Sequence, residues 1–115
     1  MILDNIQLLL FDVDGTIAAR DEAALLPEAA DFFRALAELL ASGRPIPNIA
    51  LVTNQGGPAV RSWMEEGGFG EPARYPTLEQ VQTRLHGLVA QIPLDVQLYV
   101  AYAYQSSKGN WAPVP

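Results

Sequence analysis

The sequence predicts an α/β protein built on a parallel sheet. Three observations carry that expectation. Short apolar runs at residues 7–12, 48–54 and 96–104 have strand length and strand composition. Two amphipathic stretches of helical period lie between them. The two kinds of segment alternate, an order that favours parallel strands joined by right-handed crossovers.

The elements follow in chain order. Gln7 to Asp12 is a continuous apolar run, which predicts a strand buried on both faces. "PEAADFFRALAELLASG" reads as a helix, with Pro27 in its first turn and Gly43 as its stop. Ala29, Phe33, Leu36 and Leu40 make its predicted apolar stripe, against Asp31, Arg34 and Glu38 on the polar side. "NIALVTN", Asn48 to Asn54, is a second strand ending in polar residues. A glycine-rich insert runs from Gln55 to Pro76, with a short helix expected in "PAVRSWMEE" and flanking glycines that would let it move as a flap. "TLEQVQTRLHGLVAQIP" reads as another helix. Thr77 and Gln80 have capping-box spacing; Leu78, Val81, Leu85, Leu88 and Ile92 form the stripe; Pro93 ends it. "VQLYVAYAY", Val96 to Tyr104, is a third strand.

Bulk properties narrow the function classes. With 115 residues, half of them apolar, the chain has material for one small domain with its own core. The net charge of −6 and a pI near 4.5 disfavour non-specific binding to nucleic acid or anionic membrane. Without cysteine, disulfides and Cys-ligated zinc are excluded. The N-terminus lacks the basic start and cleavage site of a signal peptide, and no apolar run nears the roughly 20 residues of a membrane helix. The expectation is a cytoplasmic protein.

Ligands of open parallel sheets bind beyond the carboxyl ends of the strands. Two predicted strands end there in polar residues: Asp12-Val13-Asp14-Gly15-Thr16 and Thr53-Asn54-Gln55-Gly56-Gly57. Two carboxylates one residue apart repel each other unless a cation or a proton lies between them. A carboxylate can attack phosphorus, and a second acid can protonate the leaving oxygen and then deprotonate water. Mg²⁺ takes one or two carboxylates together with substrate phosphate. Gly15 would let the backbone approach an anion, and Thr53 and Asn54 would add donors. A calcium loop is disfavoured, because its twelfth position, Ala23, should be a glutamate.

"FDVDGT" resembles the first motif of the haloacid dehalogenase-like phosphohydrolases, and "LVTN" resembles their second. "TNQGG" is similar to the branch with histidinol-phosphate and heptose-bisphosphate phosphatases and the polynucleotide 3′-phosphatase domain. The likeness covers about the first half of the chain. It implies a Rossmann-like three-layer α/β/α fold and a Mg²⁺-dependent phosphatase acting on a small-molecule phosphomonoester. Asp12 would be the nucleophile and a metal ligand. Asp14 would be the general acid and base, with its carbonyl on the metal. Gly15, Thr53 and Asn54 would bind the phosphoryl group, and Lys108, the only lysine, is the candidate for the family's phosphate-binding lysine.

The family's fourth, acidic motif has no counterpart, since the last acid is Asp95. The expectation is a single domain, incomplete before its fourth strand, without a separate cap; the flap from Ile17 to Leu26 is too short to be one. In the family that missing strand borders the first, so the first strand is expected to offer an apolar edge through which the chain self-associates. The missing motif also favours a second reading, a phosphate- or metal-binding module that does not turn over. A nucleic-acid 3′-end phosphatase is the third, opposed by the acidic charge.

Other candidates have plainer readings. Arg61 and His86 read as solvated helix positions, Trp63 and Met64 as packing of the insert, and Tyr99, Tyr102 and Tyr104 as core and edge. Trp111 reads as a docking residue in a proline-rich tail.

Overall fold

A computed structural model describes residues 5–103. Lys108, Trp111 and Tyr104 lie outside the described residues. The elements are β1 (Leu8–Asp12), α1 (Pro27–Ala41), β2 (Asn48–Asn54), α2 (Gly57–Gly67), α3 (Leu78–Ala90) and β3 (Val96–Ala101), with a short 3-10 turn at Pro72–Arg74. The strands form one parallel sheet in the order β1-β2-β3. The mixed α/β class follows directly from the alternation in the sequence. No helix among the described residues is long and apolar enough to cross a membrane.

The chain divides into two compact units. Within the described residues the first comprises 5–53 and 85–99, and the second 54–84 and 100–103.

In the first unit, β1 and β2 pair from Leu8 with Asn48 to Asp12 with Val52. Helix α1 begins on Pro27, whose missing N–H costs nothing at a helix start. Its Phe32 and Phe33 meet Phe11 of β1 edge-on, with ring centroids 5.9 and 5.4 Å apart. Phe33, Leu36, Ile49, Leu51, Leu85, Leu88 and Ile92 are buried and form the core with Val13, Ile17 and Ala18. Successive right-handed crossovers that advance in one direction place both connecting helices on the same face. The end of α3 accordingly meets the segment before α1: Gln91 donates through Nε2 to the Ala23 carbonyl at 2.8 Å and accepts the Leu25 N–H at 3.1 Å.

Two expectations are corrected here. β1 is not buried on both faces, because Leu8 and Leu10 are about half exposed or more. Helices of this unit shield one side of the sheet, and a continuous apolar run does not by itself require burial on both sides. Leu40 is exposed and does not extend the α1 stripe. The covered face continues from Leu36 toward half-buried Ala37 and Leu39.

In the second unit, α2 occupies the predicted insert and ends at Gly68, whose left-handed φ of 66° suits a helix stop. Arg61 donates to the Tyr75 carbonyl at 2.9 Å and pairs with Glu65 at 3.0 Å. Trp63 and Phe69 stack edge to face at 5.6 Å. Trp63 packs the insert as expected, whereas Arg61, expected as a solvated helix position, is half-buried and tied to Tyr75 and Glu65. The capping box at the start of α3 forms fully: the Gln80 N–H donates to the Thr77 hydroxyl at 3.1 Å, and the Thr77 N–H to the Gln80 side-chain oxygen at 2.9 Å.

Candidate functional site at the tip of the first strand

The candidate site begins where β1 ends. Asp12 is its last residue and is exposed. The Asp12 Oδ1 atom accepts the N–H of Val13 at 2.9 Å, which holds one carboxylate oxygen. Val13 is fully buried, and its carbonyl accepts the N–H groups of Thr16, Ile17 and Ala18 at 3.1 to 3.3 Å. The chain therefore makes one tight turn directly after the first acid. Gly15 supplies the left-handed φ of 81° that this turn requires. Its N–H donates to the Ala18 carbonyl at 2.8 Å, so that amide closes the turn rather than standing open to a ligand.

Asp14 lies within this turn and is half-buried. Its Oδ1 accepts the N–H of Asp21 at 3.4 Å. Asp21 has a left-handed φ of 64°, a conformation that aspartate tolerates better than most residues. The expected flap from Ile17 to Leu26 is a small hairpin, with Ala18 bridged to Leu25 and the Leu26 N–H on the Ile17 carbonyl at 2.8 Å. It returns over Asp14 and orients that carboxylate. Sequence reasoning missed Asp21, whose only advance signal was its residue type in a loop.

Thr53 sits at the neighbouring strand tip and is 8% exposed. Asp12 is in register with Val52, so Thr53 lies one residue further along. Strands about 4.8 Å apart with a rise of about 3.3 Å per residue put the Asp12 and Thr53 Cα atoms roughly 6 Å apart. The tips converge as the sequence predicts. Pleating, however, assigns the two side chains to opposite faces: Asp12 shares the open face with Val52, and Thr53 shares the helix-covered face with Leu51. Asn54, exposed, ends β2 and begins the second unit. Arg61 is engaged with Glu65 and Tyr75, and His86 lies exposed on α3.

Among the described residues, no group of three or more histidine or acidic side chains gathers around a common point. The resemblance implies the Asp12 carboxylate and the Asp14 backbone carbonyl as Mg²⁺ ligands, and Mg²⁺ commonly takes only one or two carboxylates from a protein when water and phosphate fill its remaining positions. Comparison of the chain with family models, with curated proteins and with solved structures finds no match.

Proposed function

We propose that this chain is a phosphomonoester hydrolase that transfers a phosphoryl group to Asp12. One observation carries the reading: an exposed carboxylate with one oxygen held by backbone, followed two residues later by an oriented second carboxylate, both at the carboxyl edge of a parallel sheet. That edge is where open α/β sheets bind ligands. The resemblance of "FDVDGT" and "LVTN" to haloacid dehalogenase-like phosphohydrolases supports the same chemistry.

Asp12 Oδ2 attacks phosphorus, the bond to the ester oxygen breaks, and the Asp14 carboxyl gives its proton to the departing alkoxide. Water then attacks the aspartyl-phosphate. The Asp14 carboxylate takes the water proton, and inorganic phosphate leaves Asp12 unchanged. Thr53 meets the phosphoryl group from the covered side of the rim while Asp12 meets it from the open side. Asp12 and Asp14 are the residues that would hold Mg²⁺, which when bound offsets the repulsion among carboxylates and phosphate. The substrate class is a small phosphomonoester.

The test is hydrolysis of an aryl phosphate in the presence of Mg²⁺. Asp12→Asn is expected to lose activity by about 10⁶-fold, the scale seen when a covalent nucleophile is removed. Undiminished turnover by that variant rejects the nucleophile. A second reading has its own support: two carboxylates are the whole acidic set here, and no lysine occurs among the described residues. On that reading the site binds phosphate without turning it over. Mg²⁺-dependent binding of beryllofluoride by a chain that hydrolyses nothing would establish it.

A further inference from the structure

Among the described residues, β1 and β3 are the two edges of the sheet, and they differ in kind. The outward row of β3 is Gln97, Tyr99 and Ala101. The Tyr99 hydroxyl donates to the Gln97 side-chain oxygen at 2.7 Å, so that row carries polar groups. The outward row leading through β1 is Ile6, Leu8 and Leu10, exposed at 39, 50 and 59%. β1 pairs with β2 on one side. Among the described residues no strand pairs with its other side, which offers a line of backbone donors and acceptors.

Natural edges are blunted by lysine, proline, bulges or inward charges. Residues 5–11, "NIQLLLF", contain none of these. An edge of this kind is completed by extended main chain flanked by apolar side chains. The same chain supplies such a strand.

We propose that a second copy of this chain occupies the edge, with β1 pairing antiparallel to β1 of the partner about a twofold axis and joining two sheets into one of six strands. A twofold interface uses one patch twice and closes, as most soluble dimers do. A register centred on Leu9 sets Leu8 across from Leu10 of the partner subunit, and Leu10 across from the partner's Leu8. Such apolar cross-strand pairs are the unit of sheet stabilisation. Charge decides the direction. In-register parallel pairing would set Asp12 beside its own copy, and like charges opposite each other repel. Antiparallel pairing sends the two Asp12 carboxylates to opposite ends, and every residue from Ile6 to Phe11 is uncharged. The inference does not rest on the phosphoryl-transfer reading.

Sedimentation of the purified chain from micromolar to millimolar concentration, with amide exchange of Leu8–Asp12 at both extremes, tests it. The expected result is a shift from one copy to two, with β1 amides slowing in step. Leu10→Lys, an outward substitution that spares the core, is expected to weaken the dimer by about tenfold or more. Tyr99→Lys on the same face, away from the β1 edge, is expected to leave it unchanged. A chain that stays monomeric at every concentration overturns the proposal. So does a dimer that Tyr99→Lys breaks and Leu10→Lys spares, which would mean stacking of faces rather than pairing of edges. The exchange measurement on the unmodified chain decides the matter even if a variant misfolds.

Discussion

Leu51 and Val52 are neighbours on β2 with similar chemistry and opposite fates. Leu51 points under the helices and is 1% exposed, while Val52 points to the open side and is 37% exposed. The same contrast runs across the sheet. Phe11 and Ile49 share the Leu51 face, and Leu8, Leu10 and Tyr99 share the Val52 face. Ala50 is the exception on the open side: although in register with Leu10, it is buried. Being the smallest residue on the central strand, it is the one most readily shielded by flanking side chains. The lesson is that apolar character does not choose a face. The crossovers do, by carrying both helices to one side.

Mutations can break or sharpen this contrast when read by urea denaturation of the chain. The largest effect is expected from Phe33→Ala, which opens a cavity under the sheet and removes ring contacts to Phe11 and Phe32; it should cost about 3–5 kcal/mol. Leu51→Ala should follow at about 2–5 kcal/mol. Thr77→Ala probes the helical layer without touching either face, and loss of its cap should cost about 1 kcal/mol. Val52→Thr should stay within about 0.5 kcal/mol. If it costs as much as Leu51→Ala, the open side of the sheet is covered in solution and the contrast fails.

The two carboxylates of the β1 tip make a second, smaller contrast. Asp12 leans on the amide beside it, whereas Asp14 is held by an amide seven residues on. If the proposed phosphoryl transfer operates, Asp21→Gly, which keeps the left-handed backbone and its N–H, should preserve turnover. Asp21→Val strains that backbone and should lower kcat for poor leaving groups more than for aryl phosphates, because protonation by Asp14 matters most there. Equal losses for both substrates would mean that the flap supports folding rather than Asp14.

Much of the fold was legible in advance. Strands, helices and their order follow from the period of apolar residues, and the Thr77–Gln80 box was readable from spacing because capping is local. The position of the acids at the end of β1 was legible for the same reason: a polar pair after an apolar strand stands where parallel sheets expose their tips. Asp21 and Gln91 were not legible. Each acts through a bond made by folding, Gln91 across 66 residues to Leu25.

By itself, then, the sequence determined the alternation of strands and helices, the capping box that starts α3, and the placing of Asp12, Asp14 and Thr53 at or just after strand ends. These depend on near neighbours along the chain, which the order of residues specifies directly. Tertiary structure alone decided which side of the sheet the helices cover and that Asp12 and Thr53 leave opposite faces. Those outcomes depend on crossover direction and strand register, and a strand of alternating side chains fits either face until a helix lies down on one of them.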